Sequence, residues 1–311
     1  MSIIEKAFDK LSSAPGPSAH AAAVDALALN HPESLIEKAS LRAQTSSLAD
    51  SGASIPRASE PILQPAVTQY QPINLAKLKK LGMLTPDDER SQIAEEFRLI
   101  KRPLVTNAFA QGAGQIKNGN LIMVTSSLPG EGKTFCAINL ALSIAMEMGR
   151  TVLLVDADVA RPRVLEIMGI EAERGLLDVL RDHKAQLSDV LIRTNIDNLT
   201  VLPAGQTYRR ATELLASDAM NKLIEDIANR YPDRIIIFDS PPLLSTSEAS
   251  VLATHMGQIV MVVEAERTPQ DALKEALAQI ESCEIIGMVL NKTTSLPGTD
   301  SYYGYYGNYG K

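Results

Sequence analysis

Apolar positions fall into two regimes along the chain. Up to about residue 85 they are scattered; from Asn120 onward they gather into short β-branched runs separated by amphipathic stretches. Asn120–Ser126, Thr151–Asp156, Asn198–Leu202, Arg234–Asp239, Ile259–Glu264 and Ile286–Asn291 read as strands. Thr134–Met148, Thr212–Arg230 and Gln270–Ser282 carry the helical period. Apolar strands alternating with amphipathic helices predict an α/β fold with a mainly parallel central sheet flanked by helices.

Upstream, residues 91–102 (SQIAEEFRLIKR) form an amphipathic pattern that Ser91 can cap, with Glu95 in the first turn and Pro103 set to kink or stop the helix. Ile3, Ile4, Phe8 and Leu11 are at roughly helical spacing, as in a short docking helix or an unpartnered terminal one. From Ser13 to about Gln71 the chain is rich in Ala, Ser and Pro without sustained periodicity. Such a segment buries too little apolar surface to offset its ordering entropy, so a flexible tether is expected, with a transient helix over 33–43. The predicted organisation is therefore a largely disordered region 1–85, a globular domain 86–296 and a flexible tail 297–311.

The formal net charge of −7 over 311 residues supplies no overall field for DNA or RNA, and no nucleic-acid partner is expected. Cys136 and Cys283 are far apart and the four histidines are scattered, which suggests neither a disulfide framework nor a metal cluster. No apolar run approaches the ~20 residues that span a bilayer, and the N-terminus lacks a signal-peptide pattern. A cytoplasmic protein is expected, and any membrane association should go through a partner.

The chemistry concentrates in three places. Ser127-Leu-Pro-Gly-Glu-Gly-Lys-Thr134 follows one predicted strand and opens a helix. Gly130 and Gly132 let the backbone curl so that its N–H groups face phosphates, and the helix N-terminus adds its dipole. Lys133 can reach the β- and γ-phosphates, and the Thr134 hydroxyl can bind magnesium. Magnesium also needs carboxylates, and two strands end in them: VLLVDAD (152–158) with Asp156 and Asp158, and IIIFDSPP (235–242) with Asp239. In a parallel sheet such ends share one edge, so these aspartates should converge on the phosphates. Arg161 and Arg163 follow closely and could neutralise charge on a transferred group. The third place is the tail YYGYYGNYGK (302–311), with five of the eight tyrosines and no strand or helix pattern to explain them.

Over about residues 91–311 these features together resemble the bacterial tyrosine kinase (BY-kinase) family, built on a P-loop NTPase fold, and most of all the autokinases of exosortase-type exopolysaccharide loci. Leu128 stands where the related partition ATPases carry a second lysine, and those lack a tyrosine tail. The resemblance implies an ATP- and Mg²⁺-dependent protein-tyrosine autokinase that phosphorylates Tyr302, Tyr303, Tyr305, Tyr306 and Tyr309, by resemblance in trans. By the same similarity Ser127, Pro129, Gly130, Glu131, Gly132, Lys133, Thr134 and Phe135 bind the nucleotide, and Asn291 contacts its adenine. Lys133, Asp156, Asp158 and Asp239 form the catalytic set, with Asp156 as base for the tyrosine hydroxyl and Thr134, Asp156 and Asp239 at the metal. Glu95, Arg98 and Lys101 match the helix that builds the family's homo-oligomer, with lysine in place of the last arginine. The implied partners are a membrane polysaccharide chain-length determinant protein as activator and a cognate tyrosine phosphatase. A partition-type ATPase and a non-catalytic nucleotide-binding scaffold of a polysaccharide export complex are the alternatives. From Asn291 to Tyr305 the chain can span roughly 46–50 Å extended, or about 20 Å as a coil, so reach allows the chain's own site or a neighbour's.

Overall fold

The β-branched runs form the centre of one sheet. The computed structural model of the chain describes residues 69–294 apart from 89, 148, 183, 184, 231 and 232; the predicted segments 2–12 and 33–43 and the tail tyrosines lie outside the described residues. The strands are β1 (Gln69–Tyr70), β2 (Leu121–Ser126), β3 (Thr151–Asp156), β4 (Ile192–Arg193), β5 (Leu199–Leu202), β6 (Arg234–Asp239), β7 (Gln258–Glu264) and β8 (Ile286–Asn291). Their spatial order is β1-β4-β5-β3-β6-β2-β7-β8, parallel throughout except for β4 against β5.

The helices cover both faces, and the two-residue period of the strands decides which side chains meet which layer. Ile122, Val124, Val152, Leu154, Ile235, Ile237, Val260 and Val262 face one layer. That layer holds α1 (Leu75–Lys80), α2 (Gln92–Ala108), α3 (Lys133–Ala145) and α4 (Val164–Met168). Leu121, Met123, Leu153, Val155, Ile236, Phe238, Ile259 and Met261 face the other. There lie α5 (Leu176–Arg181), α6 (Ala211–Leu215), α7 (Asp218–Arg230), α8 (Glu248–Ala253) and α9 (Gln270–Ala278). Each of these fully buried strand side chains contributes about 1.5–3 kcal/mol relative to exposure. The central strands are therefore rigid supports for whatever their ends carry.

Four expectations need correcting. Residues 69–85, placed in the flexible region, are part of the fold: Leu78 and Leu84 are wholly buried. Their order comes from distant side chains, since Ile73 N–H donates to Asn195 Oδ1 (2.8 Å) and Leu84 N–H to Asn139 Oδ1 (2.7 Å). Second, α2 starts at the Ser91 cap as predicted, with Ala94 N–H donating to Ser91 Oγ (3.3 Å), but runs through Pro103 to Ala108. Pro103 is exposed, so the carbonyl of Leu99 that it leaves without an amide can turn to water. Third, the predicted helix 212–230 is two helices, because Ser217 caps the second: Met220 N–H donates to Ser217 Oγ (3.4 Å). Fourth, α9 ends at Ala278 rather than Ser282.

Candidate active site

Parallel pairing brings the carboxyl ends of β2, β3 and β6 to one edge. β2 runs into the loop 127–132 and then α3; β3 ends at Asp156 and β6 at Asp239, which are direct register partners. The convergence expected from the motifs is thus a consequence of strand order.

The loop has the backbone that its glycines allow. Gly130 and Gly132 have φ of +90° and +99°. A Cβ on Gly132 would also lie 2.1 Å from Asn291 Nδ2, so glycine is required there both by conformation and by space. Pro129, Gly130, Gly132, Lys133, Thr134 and Phe135 line an open cleft of about 510 Å³, whose other wall includes Asp158, Arg161, Arg163, Pro241 and Pro242.

Two residues expected at the nucleotide also brace the loop. The Glu131 carboxylate turns inward as a brace: it accepts from Leu128 N–H (2.9 Å) and from the Thr268 hydroxyl. Asn291, expected at the adenine, donates its Nδ2 to Glu131 O (2.8 Å). Ser127 is wholly buried at the root of the loop, its hydroxyl without a partner. Thr268, and Lys292, whose ammonium donates to Gly130 O (2.8 Å), carried no motif and were missed. Ser245 and Thr246 on the cleft wall also gave no signal.

Lys133 stands among three acids. Its Nζ lies 2.6 Å from Asp158 Oδ2 and 3.7 Å from Asp239 Oδ1. Burial by itself would lower the lysine pKa, but Asp239, Asp158 and Asp156 together raise it. Asp158 also accepts from Arg161 N–H (3.1 Å) and lines the cleft. Asp156 lies one layer beneath, fully buried, with Oδ2 accepting from Val164 N–H (3.0 Å). Its Oδ1 is buried without a hydrogen bond, and the Asp239 carboxylate, equally buried, has no hydrogen bond of good geometry beyond the long approach of Lys133 and the nearby Thr134 hydroxyl. Burial, then repulsion from Asp239, pushes Asp156 up to about 8. Burial pushes Asp239 up to about 6, opposed by the charge of Lys133 and the hydroxyl of Thr134.

Orphaned buried carboxylate oxygens are costly in a finished site. They suit a site completed by a divalent cation bound together with phosphates. Among the described residues no group of three or more His, Cys, Asp and Glu is arranged to hold a metal alone. That too fits magnesium, which is bound through one or two carboxylates plus substrate phosphates and water.

The expected oligomer residues are split. Glu95 and Arg98 pair with each other on the exposed face of α2. Lys101 turns inward, donating to Ser143 O (2.7 Å) at the end of α3 and pairing with Glu147 (3.0 Å), with its side chain only 13% exposed. A cation suits that helix end, where carbonyls lack amide partners.

A family model described as an AAA domain matches residues 119–291. Tyrosine-protein kinase YwqD of Bacillus subtilis (strain 168) is 34% identical over 230 residues, covering 73% of this chain and 91% of YwqD. The chain belongs to the bacterial tyrosine-protein kinases. The solved kinase domain of the Escherichia coli tyrosine kinase ETK shares this kinase's fold, with a TM-score of 0.61 at 26% identity over 75% of this chain and 91% of that one. The succinoglycan biosynthesis transport protein ExoP of Rhizobium meliloti is 29% identical over 74% of the kinase and 30% of its own, longer length. The enzyme class and the P-loop α/β architecture expected from the motifs therefore hold. Among the described residues no helix of the kinase is long and apolar enough to cross a membrane.

Proposed function

We propose that this kinase transfers the γ-phosphoryl group of Mg·ATP to its own C-terminal tyrosines, Tyr302, Tyr303, Tyr305, Tyr306 and Tyr309, in trans, and thereby regulates exopolysaccharide synthesis or export. The observation that carries the reading is the buried acid pair at the edge where β8 also ends: Asp156 Oδ1 has no hydrogen bond, and the Asp239 carboxylate is approached by Lys133 Nζ only to 3.7 Å.

Bound Mg·ATP supplies the phosphoryl group and a metal charge that offsets the negative charge of the phosphates. The chain's own groups do the rest. The loop amides and the N-terminus of α3 bind the phosphates. Lys133, paired with Asp158, would turn its ammonium to the phosphates, and Arg161 and Arg163 add positive charge along the cleft wall. A tyrosine hydroxyl has a pKa near 10 and needs a base. Asp156 takes that role through its free Oδ1, which becomes reachable as the Lys133–Asp158 pair opens. Thr134 and Asp239 complete the metal environment, and Asn291 keeps Oδ1 for the adenine.

Self-association is proposed through the exposed side of α2, where Glu95 and Arg98 stand beside Leu99, an apolar side chain 59% exposed. The proposed activator is a membrane polysaccharide chain-length determinant protein, which would bring the kinase to the inner membrane, and a cognate tyrosine phosphatase would reset the tail. The polysaccharide context is supported by the likeness to ExoP.

Mass spectrometry of the full chain after incubation with ATP and Mg²⁺ tests the reading. Wild type should carry phosphate on several of the five tail tyrosines, and Lys133→Met on almost none. Robust tail labelling of that variant, or ATP turnover by wild type with no phosphotyrosine, would overturn it.

A further inference from the structure

The phosphate-binding loop is tied to the far edge of the sheet by residues outside the loop and the two strand-end acid motifs. Lys292, the first residue after β8, has φ of +57°, a left-handed conformation unusual for a lysine. From there its Nζ donates to Gly130 O (2.8 Å) and pairs with Glu264 Oε2 (3.1 Å). The adjacent Asn291 donates to Glu131 O (2.8 Å). From the turn after β7, Thr268 holds the Glu131 carboxylate, and its Oγ also accepts from Glu264 N–H (3.0 Å). Two consecutive loop carbonyls are thus both drawn toward β8.

A trans peptide points its carbonyl and its amide hydrogen in opposite directions. Fixing Gly130 O and Glu131 O on the β8 side therefore turns the N–H groups of Glu131 and Gly132 away from β8. Glycine at 130 and 132 makes this orientation possible, but glycine by itself prefers no single one. The selection must come from whatever holds the carbonyls.

We propose that Lys292 is a positioning residue for the nucleotide phosphates: with Asn291 it fixes the loop carbonyls so that the intervening amides are aimed before the ligand arrives. The inference rests on reading 127–134 as the nucleotide site. It adds to that reading that loop geometry is set from β8, the strand that leads into the tail. Without the lysine the loop samples other peptide orientations, and binding must first select the competent one.

The test is equilibrium binding of Mg·ATP to the full chain, with thermal unfolding of the nucleotide-free protein alongside. One partly exposed hydrogen bond from a charged group supports a three- to ten-fold effect, to order of magnitude. Lys292→Met should weaken Mg·ATP binding by about that factor while the nucleotide-free unfolding midpoint stays within about 2 °C of wild type. Tail phosphorylation at saturating ATP should then recover, so the loss is in affinity and not in turnover. Lys292→Arg, which can still donate to a carbonyl, should bind within about two-fold of wild type. Thr268→Val, which cuts the brace from the β7 side, should weaken binding in the same direction and serves if Lys292→Met fails to fold. Wild-type affinity in Lys292→Met, or an arginine variant as weak as the methionine one, overturns the proposal. A wild type that binds Mg·ATP without labelling tyrosine sinks the kinase reading and leaves this comparison readable.

Discussion

Replacing Asp156 by asparagine separates charge from shape at the floor of the site. Burial and then the nearby Asp239 push the Asp156 carboxyl up to about 8. In the unfolded chain the same group titrates near 4. Between those values the folded protein holds a proton that the unfolded chain has released, so stability falls as pH rises. Integrated from pH 6 to pH 8, a carboxyl titrating at about 8 gives up roughly 2 kcal/mol, because most of that interval counts at ~1.4 kcal/mol per pH unit. Asp239, pushed to about 6, has its main effect below that interval. For a domain of this size ~2 kcal/mol corresponds to about 4–8 °C in the unfolding midpoint. Asparagine keeps an acceptor for Val164 N–H and nearly the same volume, but cannot ionise. Asp156→Asn should therefore gain on wild type as pH rises from near 4, with the gap in unfolding midpoint widening by about 4–8 °C between pH 6 and pH 8. Scanning calorimetry in EDTA across pH 5.5–8.5 measures this directly. Saturating Mg·ATP should flatten the wild-type curve, since a nearby cation favours the ionised carboxylate. Wild-type and variant curves that stay parallel across the range would refute the electrostatic account of this site.

Two further substitutions probe the loop and the helix above it. Gly132→Ala places a Cβ against Asn291 Nδ2 in a left-handed conformation, a strain of about 1–3 kcal/mol or more, and should lower Mg·ATP affinity at least ten-fold by equilibrium binding while far-UV circular dichroism stays native. Lys101→Ala removes the hydrogen bond to Ser143 O and the pair with Glu147, and should cost about 1–3 kcal/mol in urea unfolding with Mg·ATP affinity unchanged.

The catalytic edge was legible because phosphate chemistry restricts residue types and parallel strands restrict where they go. Once Asp156 and Asp239 are read as the last residues of adjacent parallel strands, their meeting needs no tertiary detail. Residues 69–85 were not legible, since their order depends on Asn139 and Asn195, more than fifty positions downstream, and no local window registers such a bond. The continuation of α2 past Pro103 escaped for a related reason. The missing hydrogen bond falls where water can replace it, a fact about the surface and not about propensity. Glu131 shows the limit of motif reasoning most plainly. Its place in the loop suggested the ligand, while its carboxylate faces Leu128 and Thr268.

The charge balance of the site explains why it can be built and still be reactive. Three carboxylates within reach of one ammonium cannot all ionise at low cost in a buried setting, and the raised values at Asp156 and Asp239 are the result. Protons make up the deficit of positive charge. Lys133 is meanwhile held at 2.6 Å by Asp158, away from any role as a bare cation. A ligand that brings a divalent metal and phosphates changes both halves of the balance together. Asp156 and Asp239 would ionise beside a bound divalent cation, and Lys133 would exchange Asp158 for a phosphate partner. On the proposed function, the event that loads the site would therefore also be the one that readies Asp156 to accept a proton.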